Sequence, residues 1–517
     1  MIRFISVKTA EEFINCFNNS DYEKDDLVID LESDIELTNT SPTIAALSVS
    51  SNNKRRICIN GNRNIISSIA YTGTPKTGFA YPISRFTTYI EASSRIQKED
   101  GSEVSRTEVS AGTYRVMLND RDKNITIDDY NYINLSCGWT AYTCEIIKIE
   151  DGYCYFKSFG TEYSLDFDWY QNNNNNFVIY KLMRCPKHTG TNIEDHVGRY
   201  TLDFASAYFD KLTIVFNKTT IRGGIIGNRI NLIMDDCEIF QCSDYGLNLT
   251  ECNTTITNSI IMDTWKSAIC AKRTAYYVKH NQSGKVWYTL IDENDKNLHS
   301  YLCCNNTYFN YCVQGRSNVG CIHTDGYYNI TNNIFKEFGA YGVFLGISNM
   351  PFDWDGSEEI LNANHFLSTE NQGINIDTGC IYIAPNNKNC IISNNIIETY
   401  VGRKNNQGIY LDDGAYNVTV VNNTIEAISG YAISARNAGE IDNRGYGGGI
   451  NNTFKYIINN FCRFGGIWCG GINNLTKNNC IVKKNLIHEL DAEETTFKFK
   501  TALSFVKDID NVIKKIK

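Results

Sequence analysis

One phrase recurs along this chain: a short apolar run, a turn, a second short apolar run, then a pair of asparagines. It is clearest in Gly408-Ile409-Tyr410-Leu411-Asp412-Asp413-Gly414 followed by Asn417-Val418-Thr419-Val420-Val421-Asn422-Asn423-Thr424-Ile425. An earlier copy reads Cys380-Ile381-Tyr382-Ile383-Ala384-Pro385, then Asn389-Cys390-Ile391-Ile392-Ser393-Asn394-Asn395-Ile396-Ile397, offset by 28 residues throughout. Looser copies are Gly246-Leu247-Asn248-Leu249 with Ile256-Thr257-Asn258, and Cys321-Ile322-His323-Thr324 with Ile330-Thr331-Asn332-Asn333-Ile334. Tyr341–Leu345, Tyr431–Ala435 and Gly466–Cys469 look like first strands of further copies.

A repeat this short cannot bury its own apolar face. It must stack on its neighbours, so the chain is a solenoid. Strands of three to five residues at this period predict a right-handed parallel β-helix, one coil per repeat, with inward residues stacked in a column. A leucine-rich solenoid would need a helix and fixed leucines in every repeat, and neither is visible. A propeller would need four strands per blade at a longer period. Asparagine at a tight turn tolerates a left-handed backbone, and its amide can bond to the next rung. Asn258, Asn332, Asn394 and Asn422 are the expected ladder members.

The repeat also sets the domain plan. Residues 1–69 are expected to hold a capping helix and the first coils. Ala10, Phe13, Ile14 and Phe17 have helical spacing, and Asp26–Leu37 reads as the first coil. Residues 70–200 lack the Asn-pair phrase and are rich in aromatics, including Trp139, Tyr142, Trp169 and Tyr170, which predicts an inserted β-rich subdomain. The main β-helix then covers 201–490, with excursions at 272–316 and 348–372. The first excursion carries a hairpin, Tyr276–His280 returning as Val286–Leu290. Over 491–517, Leu503, Val506, Ile509, Ile513 and Ile516 have helical spacing and predict a C-terminal helical cap. Long excursions on a regular column commonly build a binding wall.

Composition enters by exclusion. With 42% hydrophobic and 21% charged residues the chain is not disordered throughout. A net charge of −9 without a basic block excludes nucleic acid as a partner, because phosphate contacts need clustered Lys and Arg. No apolar run approaches the ~18 residues of a membrane span. The start, Met1–Thr9, lacks the apolar core of a secretory signal. The 19 cysteines include no C-x-x-C pair, and many lie in strand-like runs, as buried free thiols do. Asn-x-Ser/Thr triplets such as Asn417 and Asn423 fall inside the repeats, where a glycan would block packing. A bacterial cytoplasm, or a phage virion assembled in one, is the expected setting.

Aligning the coils by their first strands puts chemistry in line. The position after that strand holds Thr250, Lys272, Asp325, Gly346, Ala384, Asp412, Arg436 and Gly470 in successive copies; the next holds Glu251, Arg273, Gly326, Ile347, Pro385, Asp413, Asn437 and Gly471. With rungs about 4.8 Å apart, these form one polar edge. Adjacent Asp412 and Asp413 are the catalytic candidates, because repulsion between carboxylates can leave an acid beside a base. Asp377 leads into the preceding coil and is the third. Asp325, His323, Arg436, Lys272, Arg273, Glu251 and Trp354 are the substrate-binding candidates. Acid and base carboxyls about 6.5–9.5 Å apart suit inverting glycoside cleavage, and about 5 Å suits retention. Asp325 aligns with Asp412 but three rungs away, too far for direct pairing. Against the catalytic reading, an Asp pair before Gly also caps its own turn.

His323 is a candidate acid, base or ligand, although such a residue is more often simply hydrogen-bonded. No metal site is expected; Ca²⁺ is the one candidate ion, at the acidic run Asp353, Asp355, Glu358 and Glu359, whose spacing does not match the twelve-residue calcium loop. No cofactor motif is present: dinucleotide and phosphate-loop glycine patterns, H-E-x-x-H and the G-x-S-x-G elbow are all missing.

The repeat phrase resembles the right-handed parallel β-helix proteins of the pectate-lyase-like superfamily, over about Leu27–Ser68 and Thr213–Leu490. Gly408–Gly414 is similar to the aspartate-bearing coil of β-helix glycoside hydrolases, and the phrase is also similar to that of phage tailspike depolymerases. The resemblance implies paired carboxylates in a groove, an inserted β-domain walling the cleft, a polysaccharide or oligosaccharide partner, and a homotrimer as a common assembly. It passes the catalytic candidacy to Asp412 and Asp413. The polygalacturonase signature is not matched, beyond a likeness at His323-Thr324-Asp325-Gly326, which argues against pectin. The expected function is glycosidic bond cleavage in a complex polysaccharide by carboxylate acid–base catalysis. The alternatives are a non-catalytic glycan-binding or structural β-helix of a virion, and a polysaccharide lyase, for which Lys272, Arg273 and His323 would matter.

Overall fold

The computed structural model describes residues 1–37, 45–68, 96–102, 112–118, 123–128, 132–137, 140–158, 179–183, 200–208, 211–242, 244–272, 277–282, 285–290, 300–313, 319–339, 341–345, 359–367, 379–383, 390–400, 407–412, 418–427, 431–437, 454–463, 465–471, 480–490 and 506–516. Three parallel sheets run its length. Sheet A has 14 strands, from Ile2–Val7 to Val506–Ile509. Sheet B has 13, from Ile35–Leu37 to Val512–Ile516. Sheet C has 11, from Ala45–Ser50 to Ile467–Gly471. One coil shows the plan: Gln407–Leu411 lies in sheet C, Val418–Val421 in sheet A and Thr424–Ala427 in sheet B, before Ile433–Asn437 returns to sheet C. The chain is a right-handed parallel β-helix.

Side chains alternate across each strand, so one set from every coil points into the column. Ile392, Val420, Ile457 and Val482 succeed one another in sheet A register and have no exposed surface. In sheet B, Phe309, Phe335 and Phe366 stack face to face, with centroids 4.7 and 4.6 Å apart and planes 8° apart. The rings match the rung spacing, so no volume is lost between coils.

The Asn pairs sit at the turn from sheet A to sheet B. Asn258, Asn332, Asn394 and Asn422 take the left-handed conformation, with φ between 51 and 56°, and are exposed. The buried ladder belongs to the following residue. Asn333, Asn364, Asn395, Asn423, Asn460, Asn485 and Asn511 pass a bond from each Nδ2 to the next Oδ1, at 2.8 to 3.0 Å. The second Nδ2 proton goes to a backbone carbonyl, as Asn395 to Leu361 at 3.0 Å. This corrects the expected assignment. In a left-handed turn the first side chain swings outward and the next one swings in. The outer set forms its own partial row, with Asn306 Nδ2 donating to Asn258 Oδ1 at 2.7 Å.

The N-terminal helix α1, Ala10–Asn18, is opened by a capping box: Glu12 N donates to Thr9 Oγ1 at 3.2 Å, and Thr9 N to Glu12 Oε2 at 3.1 Å. It buries Phe13 and Cys16 in the column core. The column starts earlier than expected, because Ile2–Val7 pairs in parallel with Asp26–Leu31. The expected C-terminal helix is instead a last coil. Val506–Ile509 pairs with Cys480–Lys483, and Val512–Ile516 with Leu486–Leu490. Asp510 at φ 53° and Asn511 in the ladder repeat the turn phrase. Two short strands across a tight turn reproduce the three- and four-residue spacings of a helix.

The insertion forms a six-stranded antiparallel sheet that includes Gly112–Met117, Tyr132–Cys137, Thr140–Glu150 and Tyr153–Ser158. It lies between Ile65–Ser68 and Tyr200–Ala205, the second of which pairs with Ala45–Ser50, so Tyr200 already belongs to the column. The hairpin Tyr277–Gln282 with Lys285–Leu290 is present. Both excursions are shorter than expected. Tyr301–Asn305 and Tyr308–Cys312 are column strands, as are Glu359–Asn362 and His365–Leu367.

Candidate functional site

The outer face of sheet C carries the site. In Gln407–Leu411, Ile409 and Leu411 point inward and are fully buried, so Tyr410 points outward. The register then fixes one outward column: Ser48, Asp203, Ile226, Asn248, Cys270, His323, Phe344, Tyr382, Tyr410, Ser434 and Trp468. Its middle is aromatic. His323 lies 4.4 Å from Phe344, Phe344 4.8 Å from Tyr382, and Tyr382 5.3 Å from Tyr410, between ring centroids. Tyr431 stacks on Trp468 at 5.8 Å, two rungs beyond Tyr410. Gly379 makes room in this floor: a Cβ there would lie 2.8 Å from the Cβ of Tyr410.

Two residues along each strand lies the expected polar line. Thr250 pairs with Lys272, and Asp325 N donates to Ala271 O at 3.2 Å, one rung on. Leu345, Ile383, Leu411 and Ala435 are in register, and Asp412 N donates to Ile383 O at 3.1 Å. Lys272, Asp325, Asp412 and Arg436 therefore lie on one edge. Asp325 is three rungs from Asp412, about 14 Å at the usual rung spacing.

Asp412 is engaged from below. The Tyr382 hydroxyl donates to Asp412 Oδ2 at 2.5 Å. Burial, then the Asp412 charge, pushes the Tyr382 hydroxyl well above its ordinary range, so it stays a donor. His323 is half-buried, and its Nδ1 is inaccessible and has no hydrogen-bond partner. Burial first, and the nearby Lys272 ammonium second, push its pKa down to about 4, so the ring is neutral near pH 7.

Not every candidate joins this edge. Glu251 takes a left-handed turn at φ 53°, is buried, and is ion-paired with Arg229. That tucks its carboxylate into the corner between sheets C and A and away from the expected outward row, because a left-handed turn redirects the side chain. Asp413, Asp377, Arg273 and Trp354 lie outside the described residues, as do Asp353, Asp355 and Glu358 and the side chains of Arg436 and Glu359. Among the described residues no cluster of three or more metal-ligating groups occurs. Nor is any helix among them long and apolar enough to cross a membrane.

Sequence reasoning missed a buried charged cluster below His323. Asp244 is ion-paired with Lys266 and accepts from the Tyr200 hydroxyl at 2.8 Å, while Asn248 Nδ2 donates to that hydroxyl at 3.1 Å. Tyr245 lies beneath two ammonium groups, Lys266 at 4.9 Å and Lys272 at 5.6 Å from its centroid. The run Asp244-Tyr245-Gly246 was visible, but nothing local links it to Tyr200 across the insertion.

No protein-family model matches the chain, and no curated protein matches it. Solved structures resemble it in outline. One, titled a glycoside hydrolase, has 8% identity and a TM-score of 0.47 over 99% of this chain and 95% of its own. The A-module of the Azotobacter vinelandii mannuronan C-5 epimerase AlgE6 has 10% identity and a TM-score of 0.25 over 62% and 84%. The Gp54 tailspike of Acinetobacter baumannii bacteriophage AP22 has 12% identity and a TM-score of 0.18 over 97% and 76%. The fold of this chain rests on its own strand registers.

Proposed function

We propose that a polysaccharide lies along the outer face of sheet C and that its glycosidic bonds are cleaved at Asp412. The observation that supports this is the Tyr382 hydroxyl held on Asp412 Oδ2, at the polar edge of sheet C above a buried aromatic row that fixes the tyrosine in place. In this reading Asp412 is the carboxylate that acts as base or nucleophile, and Tyr382 positions it. Asp413 and Asp377 are the candidates for the acid that protonates the leaving oxygen, and their separation from Asp412 would set inversion or retention. Arg436, one rung beyond, would hold a sugar oxygen. A capsule-degrading element of a phage tail suits this chemistry.

The test is a panel of bacterial capsular and plant glycans, followed by reducing ends and by absorbance from unsaturated products. New reducing ends without that absorbance support hydrolysis. Both signals together replace it with lyase chemistry, and silence with retained glycan binding replaces it with a binding protein. Asp412→Asn and Asp413→Asn should each cut turnover by orders of magnitude with the fold kept. Tyr382→Phe should lower kcat more than it raises KM. Near-normal rates for Asp412→Asn would remove that residue from the chemistry.

A further inference from the structure

We infer that the outer face of sheet B is a self-association surface, on which two copies of this chain pack face to face with their columns running in opposite directions. It lies on a different sheet from the strand that leads into Asp412, and it does not depend on the reading of that edge.

The register marks the face. In sheet B the buried inward row includes Ile261, Phe309, Phe335 and Phe366, so the residue before each points outward. That outward row runs unbroken from Ile260 through Ile334, His365 and Ile396 to Phe461 and Leu486. Its seven steps span about 34 Å at the usual rung spacing. Beyond the first strand, the exposed isoleucines among the described column residues are Ile260, Ile334 and Ile396, at 36, 39 and 41% exposure, and all three stand on this line. Single apolar residues scattered over a surface are ordinary, whereas an aligned row of them marks an interface. The face is also flat. The Phe rings behind it stack with planes 8° apart, so successive rungs superpose with little twist.

A straight row of this length needs an occupant as straight and of the same period, and a second copy of the column meets both conditions. The charges beside the row select the arrangement. Lys336 and Glu398 flank Leu367, one rung to each side, two residues along their strands from Ile334 and Ile396. Among the described residues Lys336 is in no ion pair, whereas Arg463 farther along is matched by Glu426 at 2.6 Å. Glu398 Oε2 lies 3.2 Å from His365 Nε2, so that carboxylate sits beside the row. A two-fold axis along the strand His365–Leu367 turns the second copy end for end. Ile334 then meets Ile396 of the partner subunit, and Lys336 meets Glu398 of the partner subunit, each twice by symmetry. Columns packed side by side in one direction keep every rung at its own height, which leaves Lys336 and Glu398 two rungs, about 10 Å, apart. Two copies of net charge −9 repel at long range, and the crossed pairs offset this where the copies touch. A strip of about 34 by 14 Å on each copy removes roughly 1,000 Å² in total from water, at the low end for a specific interface.

Sedimentation velocity of the full chain over a concentration series tests this. The expected result is a monomer–dimer equilibrium. Lys336→Glu and Glu398→Lys should each weaken the dimer about tenfold. The two together should restore it to within about threefold of the natural chain, because the reversed charges again face each other. Ile334→Glu should weaken it about a hundredfold, since the symmetry repeats the buried charge. Ile334→Ser supplies a milder change in the same direction, and unchanged circular dichroism and melting temperature verify the fold of each variant. A monomer at every concentration overturns the proposal. So does a trimer, or a dimer that Ile334→Glu leaves intact. Single reversals that weaken the dimer without restoration in the double variant overturn the two-fold arrangement.

Discussion

A neutral imidazole with one nitrogen hidden from both water and protein is expensive to hold on the outer face of a sheet. In His323 two causes act in one direction: burial disfavours the charged ring, and the Lys272 ammonium repels it. The ring should titrate with a midpoint near 4, read from its Cε1 proton by NMR, and Lys272→Gln should move that midpoint upward. The sign for stability follows. An unfolded histidine has a pKa near 6.5, so between about 6.5 and 4 the unfolded chain binds more protons than the folded one. This residue therefore contributes a loss of stability as pH falls through that window, complete once pH drops below the folded midpoint. A midpoint near 6.5 would mean the ring is open to water. At this scale the residue pattern marked His323 as a candidate acid, base or ligand. What it hid was the burial of Nδ1 without a hydrogen-bond partner.

The buried asparagines act as an element in their own right. Each side chain between Asn333 and Asn511 satisfies four groups: two donors on the previous residue, a carbonyl behind, and an oxygen ahead. Removing one member strands its neighbours. Asn395→Ala leaves the Asn364 backbone N–H and one of the two Asn364 Nδ2 protons without an acceptor, each worth about 1–3 kcal/mol when buried. A loss of about 3 kcal/mol or more is expected, read as a lower urea midpoint; a loss below about 1 kcal/mol would show that the row is ornamental to stability. The pair phrase announced the turn and the ladder, but reasoning from it assigned the ladder to the exposed partner. The choice depends on which Cβ the left-handed residue turns inward, and no composition or spacing carries that. Asp510-Asn511 carries half of the same signature, with Asp in the first place, and was overlooked because Val506, Ile509, Ile513 and Ile516 also satisfy a helix. On sheet C the aligned positions Thr250, Lys272, Asp325, Asp412, Arg436 and Gly470 were legible in the repeat. Glu251 was not, because a corner residue changes face.

Across the whole molecule, each coil answers mainly to the coils beside it. Helix α1 closes one end with Phe13, which has no exposed surface and meets Phe17 edge-on at 5.1 Å. Phe13→Ala should cost about 3–5 kcal/mol. The damage should stay local: amide hydrogens within residues 2–68 should exchange faster, while those within 380–490 keep their protection. Loss of protection at both ends would show a single cooperative unit instead. The insertion adds an asymmetry of another kind. Ser48 meets Asp203 across 155 residues, whereas Arg229 meets Glu251 across 22. Closing the longer span costs roughly 1.7 kcal/mol more in chain entropy, and contacts so remote form slowly. The strands within 45–68 are thus the last to be zipped home: their free edges must wait until a scaffold made from residues beyond 200 is ready to receive them.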